Sequence, residues 1–131
     1  FAAQEIFSEG TLRAYHRACS IVRRVRDEGR MRCHELARIV CTLLGCGQVQ
    51  DGFYHPGAGG LPIDHSWIDL PQPRREVVLD VYAIGRAPMV QLVDVSFPLT
   101  NPFHAGVSRD DIRADVIDEC LRRLRARHHP V

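Results

Sequence analysis

Residues 64–84 read DHSWIDLPQPRREVVLDVYAI, and their reading decides the fold. Residues 64–70 alternate apolar and polar side chains, as a half-buried strand does. Pro71, Gln72 and Pro73 form a turn, and residues 76–84 return as a second, largely apolar strand. Pairing about a turn centred near 72 to 73 sets residue 65 opposite residue 80 or 81. Upstream, residues 55–62 (HPGAGGLP) cannot hold regular structure and form a loop. Residues 48–54 before that loop read as a strand, and residues 89–95 as another. Residues 97–107, with Pro98 and Pro102, read as loop.

Helices flank this short antiparallel sheet. Residues 8–28 carry Leu12, Tyr15, Cys19 and Val22 at helical spacing, with Ala18, Ile21 and Val25 widening the stripe and Gly29 stopping it. A second helix begins near Cys33 and runs to Leu44; its apolar face is broad, which predicts the more buried helix, and Gly45 ends it. Ser108 is read as the cap of a last helix, with Asp110 and Asp111 in its first turn, arginines 122–127 in its last, and Ile112, Val116, Cys120 and Leu124 inward. Two helices, a sheet and a helix make an α+β pattern, read as a single domain over residues 1–131.

Composition narrows the function classes. The 131 residues are 45% hydrophobic and 25% charged, ordinary for a globular protein. A net charge of +1 gives no reason to expect nucleic acid as a partner. No apolar run approaches membrane-spanning length, so no membrane association is expected. No targeting pattern marks the start, although Phe1 leaves room for an upstream segment. All 17 basic residues are arginine. A GC-rich genome accounts for that; so does selection against self-modification in an enzyme that transfers acyl groups to amines. The five cysteines are odd in number and form no disulfide framework, which predicts a reducing, cytoplasmic setting. Cys19, Cys41 and Cys120 read as small buried hydrophobes.

Three residues carry chemistry together. Cys33 opens a helix, where unpaired peptide N–H groups and the helix dipole favour a thiolate and can receive an oxyanion. Alone, a helical cysteine is ordinarily structural. His65 begins a strand after the glycine-rich loop. Asp80 sits in an apolar strand, where a carboxylate needs a partner. The hairpin brings His65 and Asp80 together, giving a nucleophile, a base and the group that orients the base. His34 is expected to point away from Cys33 along the helix surface. His55, His104, His128 and His129 are expected to be exposed. Trp67 reads either as a cover over His65 or as core. The loop holding His55 and Gly59 is expected to border the substrate cleft.

The three segments resemble the transglutaminase-like superfamily. Residues 29–38 (GRMRCHELAR) are similar to its nucleophile helix, with a small residue four positions after the cysteine. His65-Ser-Trp67 resembles its histidine strand, with an aromatic two residues on, and Val78-Leu79-Asp80-Val81 its closing strand. The resemblance covers about residues 29–84 and implies a papain-like core with Cys33 as nucleophile, His65 as general base and acid, and Asp80 as orienter. It implies a protein or peptide substrate, attacked at a glutamine or backbone amide through a thioester, with hydrolysis favoured because nothing marks an amine pocket. No cofactor is expected. Two features depart from the family. His34 stands where many members carry tryptophan, and no upstream side chain clearly completes an oxyanion hole, Tyr15 and Gln4 being the candidates. Two alternatives stay open: a non-catalytic binding domain of the same fold, or a metal site on Cys33, His65 and Asp80. Their spacings of 32 and 15 residues match no compact metal motif.

Overall fold

The computed structural model describes residues 6–83 and 87–127. Helix α1 spans Glu9–Arg26 and helix α2 Cys33–Leu44. Strands β1 (Gln48–Tyr54), β2 (Ile63–Leu70), β3 (Val77–Asp80), β4 (Gln91–Asp94) and β5 (Phe103–Ala105) follow, then helix α3 (Ala114–Arg127). The five strands form one antiparallel sheet in the order β4-β3-β2-β1-β5, so the fold is α+β.

Helix α2 packs on β2 and β1 and lies between α1 and α3. Eight of its 12 residues are buried, which makes it the central helix as its broad apolar face predicts. Isolated helices of this length are marginal in water, so packing holds it. Its partners in the main core include Ile21 and Val25 of α1, Ile68 and Leu79 of the sheet, and Leu124 of α3. Each such side chain contributes roughly 1.5–3 kcal/mol relative to exposure. Gly45 closes the helix in the left-handed conformation at φ 72°. Arg17 of α1 donates to the carbonyls of Leu43 and Leu44 at 3.1 Å each, satisfying the helix end. On the other face of the sheet, Trp67, Val78, Val95 and Phe103 form a smaller cluster.

Several elements differ from the sequence reading. The buried stripe of α1 runs through Thr11, Ala14, Ala18, Ile21, Val22 and Val25, while Leu12, Tyr15 and Cys19 sit half-buried at its margin. Cys41 is also half-buried, and Cys120 is buried as expected. Strand β3 ends at Asp80, because its carboxylate turns the chain by accepting from the Tyr82 N–H at 3.0 Å. Residue 84 lies outside the described residues. The β2–β3 register pairs Ile68 with Leu79 and Leu70 with Val77, and its continuation sets Asp80 across from Trp67, diagonal to His65.

Residues 97–107 hold a short 3-10 turn at Pro98–Thr100 and strand β5, where only loop was expected. Helix α3 begins at Ala114, five residues later than a cap at Ser108 would start it. Ser108 does not cap it, because its hydroxyl donates to Asp64 at 2.9 Å and accepts from the Asp110 N–H at 3.1 Å. Asp110 and Asp111 therefore precede the helix; Asp115 is the acid of its first turn, and Arg125 and Arg127 are the bases of its last. Ile112 precedes the helix, and its inner face is Cys120, Leu121 and Leu124.

The seam between β1 and β5 is tight. A Cβ at Gly52 would stand 2.1 Å from the carbonyl oxygen of His104. Gly52→Ala is expected to detach β5 and destabilise the protein by about 1–3 kcal/mol, as overpacking does. Urea denaturation checks it; an unchanged midpoint would mean that the seam yields freely.

Candidate active site

The site starts where the chain enters α2. Arg32, in extended conformation, stands at the cap position, and no side chain caps the first N–H groups. Cys33 is the first helical residue and is 8% exposed. Its Sγ lies 3.9 Å from the carbonyl oxygen of Asp64, so the helix start abuts the beginning of β2.

His65 and Asp80 are fully buried on adjacent strands. The imidazole Nε2 lies 2.9 Å from Asp80 Oδ1 and 3.0 Å from Oδ2. Asp80 is thereby given the partner its burial demands, and it fixes the ring. Trp67 and Phe103 flank the imidazole, with ring centroids at 6.1 Å and 6.3 Å. Nδ1 is buried with no hydrogen-bond partner among the described residues. It is the ring nitrogen that Asp80 does not hold. No family model, curated protein or solved structure matches this chain.

The geometry therefore has to speak for itself, and it includes residues beyond the expected three. His34 is 1% exposed, not on the helix surface. Its position in the first turn of α2 turns it toward β2 and the segment before α3. Nδ1 lies 2.6 Å from Ser66 Oγ, and Nε2 lies 2.9 Å from Asp110 Oδ2 and 3.5 Å from Asp64 Oδ1. Ser66 in turn donates to Asp51 at 2.5 Å, and Arg38 donates to the same carboxylate at 2.7 Å. The available signal was the polar Asp64 and Ser66 on the strand face that also carries Ile68 and Leu70. Inward polar residues call for a partner.

Glu35, also buried, accepts from Arg32 at 2.9 and 2.7 Å and from Arg113 at 3.2 and 3.3 Å. Arg32 further donates to the carbonyl of Asp111. Residues 108–113 thus cross the start of α2, tied to Asp64, His34, Arg32 and Glu35. A cavity of about 980 Å³ opens beside this helix start, lined in part by Met31, Arg32, Leu36, Tyr82 and Arg113.

These contacts set the acidities. Burial pushes the Cys33 thiol up, but the imidazoles of His34 and His65 outweigh it and bring the thiol down to about 7. His34 is raised to about 9, chiefly by Cys33 and then by Asp110, against its burial. Burial lowers His65, and Asp80 and Cys33 overcome it to hold the ring at about 9. Burial opposes ionisation of Glu35, yet Arg32 and Arg113 hold it at about 2.

The remaining candidates lie as follows. Trp67 is 2% exposed, donates to Asp69 at 3.2 Å and packs beside the imidazole, and it lines a cavity of about 440 Å³ with Gln50, Asp69 and Phe103. His55 is half-buried rather than exposed, stacked on the exposed His104 with centroids 3.9 Å apart. Gly59 is exposed at φ 78° in the loop leading into β2. Tyr15 lies half-buried on α1, and the neighbouring Cys19 thiol raises its pKa. Gln4, His128 and His129 lie outside the described residues. Among the described residues, no helix is long and apolar enough to cross a membrane.

Proposed function

We propose that this protein is a thiol enzyme of the transglutaminase-like type, acting on an amide of a protein or peptide through a thioester on Cys33. The observation that carries the reading is His65. Its Nε2 is bonded to both oxygens of Asp80, and its buried Nδ1 is left unpaired beside a thiol at an uncapped helix start. A buried ring nitrogen without a partner costs free energy, roughly 1–3 kcal/mol, and a proton exchanged with the nearby thiol accounts for its persistence.

The chemistry follows from the roles. With the thiol at about 7 and the His65 ring at about 9, the proton rests on the imidazole near neutral pH, and the Cys33 thiolate attacks the amide carbonyl carbon, forming a C–S bond. The oxyanion of the tetrahedral intermediate meets the unpaired N–H groups of the first turn of α2. His65 returns the proton to the leaving nitrogen as the C–N bond breaks, which leaves a thioester. Water then attacks, giving its proton to His65, and the C–S bond breaks to release the acid. An amine in place of water gives acyl transfer. Asp80 holds the ring and supports its charge while the proton is on it.

The satisfied Asp80–His65 pair disfavours the metal reading, because both carboxylate oxygens and Nε2 already hold each other. The test is incubation with an electrophilic glutamine-peptide probe, followed by mass spectrometry of all five cysteines. One adduct on Cys33 is expected. No adduct in folded protein, or equal labelling of the exposed Cys46, would overturn the reading in favour of a binding domain. Stoichiometric metal in the purified protein that is lost in Cys33→Ser would overturn it in favour of a metal site on Cys33, His65 and Asp80.

A further inference from the structure

His34 is the buried titratable group that the mechanism above does not use. Its proton count follows from its neighbours. Ser66 has one hydroxyl hydrogen, and Asp51, kept ionised by Arg38 at 2.7 Å, can only accept it. Ser66 must then accept from His34 Nδ1 at 2.6 Å. On the other side, Nε2 faces Asp110 at 2.9 Å and Asp64 at 3.5 Å. Asp64 already accepts from the Ser108 hydroxyl at 2.9 Å and the Arg109 N–H at 2.6 Å. Carboxylates offer no proton, so Nε2 must donate as well. A ring that donates from both nitrogens is an imidazolium.

We propose that His34 is a standing cation whose charge stabilises the Cys33 thiolate, and that it is a positioning residue which never exchanges its proton with sulfur or substrate. This rests on the thiol-enzyme reading above. Both N–H groups of His34 are committed to oxygen, so its effect on the neighbouring sulfur is that of a charge. Its burial keeps it from substrate and shields the interaction from solvent. The other groups around it are accounted for. Asp110, Asp64 and, through Ser66, Asp51 hold the proton in place, and Arg38 donates to the His34 carbonyl at 3.1 Å. The division of labour is simple. His65 moves the proton, and His34 keeps a positive charge beside the thiol when His65 has given its proton away.

The experiment is the pH dependence of Cys33 alkylation by iodoacetamide, read by mass spectrometry. The variants are His34→Gln and Asp110→Asn. The ring nitrogens of the unmodified protein are followed by NMR in parallel. His34→Gln is expected to raise the alkylation midpoint, with about tenfold less thiolate at neutral pH. Asp110→Asn, at a side chain 47% exposed, leaves the fold standing and is expected to shift the midpoint the same way by less. Ring signals should report His34 doubly protonated at pH 7.5. An unchanged midpoint in folded His34→Gln overturns the proposal, as does a neutral His34 ring. Should His34→Gln not fold, Asp110→Asn and the ring signals decide. Failure of the enzyme reading looks different: a low Cys33 midpoint that responds to His34 while the glutamine-peptide probe gives no adduct.

Discussion

Removal of the imidazole at position 65 is expected to slow thioester formation on Cys33 by roughly 100- to 10,000-fold, the range that positioned acid–base groups supply. His65→Ala strips Asp80 of its partner and leaves a buried carboxylate, which is itself destabilising. His65→Gln is the cleaner variant. Its amide can still donate to Asp80, so the fold is kept and the base is lost. The rate of adduct formation with the amide probe checks this, with circular dichroism confirming the fold. Cys33 sits at about 7 in the intact protein, and its alkylation midpoint should rise in His65→Gln without reaching the free-thiol value of roughly 8.5, because His34 remains. Asp80→Asn should give a smaller rise, since the ring stays but its charge loses support. A folded His65→Gln that forms adduct at the normal rate would remove His65 from the chemistry.

The second large effect is on stability. Arg32→Ala is expected to cost roughly 3–5 kcal/mol, because Glu35 is fully buried and loses its two shortest bonds. Removing Glu35 itself should cost less, since both arginines are partly exposed and can turn to water. The pH dependence has a definite sign. Glu35 titrates at about 2 in the fold, below its ordinary 4.5, so its contribution is complete above 4.5 and fades as pH falls toward 2. In Arg32→Ala the folded pKa rises, and acid unfolding should begin at higher pH. Urea denaturation at neutral and acid pH measures both. A cost below about 1 kcal/mol would mean that water reaches Glu35.

The helix starting near Cys33 and the strand from Gln48 were legible, because the apolar period changes sharply and Gly45 breaks it. The pairing of His65 with Asp80 was legible from the hairpin, although the register places them diagonally. Strand β5 was not legible. Phe103 alone points inward, His104 and Ala105 are exposed, and three residues cannot express a period. The late start of α3 was hidden because serine and aspartate favour caps and turns alike, and here they make a turn onto Asp64. His34 was missed for a different reason. Its neighbours at positions 51, 66 and 110 lie far apart in sequence, and only the folded chain brings β1, β2 and the segment before α3 around one ring.

The missing side chain at Gly52 reaches further than its strand. Strand β5 is moored to β1 by three residue pairs and by the bond from the Gly106 N–H to the Asp51 carbonyl at 3.0 Å. The chain beyond that mooring carries Ser108 and Asp110 to their places beside Asp64 and His34. On the role proposed for His34, docking of a three-residue edge strand would then bear on the electrostatics of a thiol on the first turn of a helix it does not belong to. A methyl group at position 52 would raise the pKa of that cysteine from a distance, with no atom of its own near the sulfur.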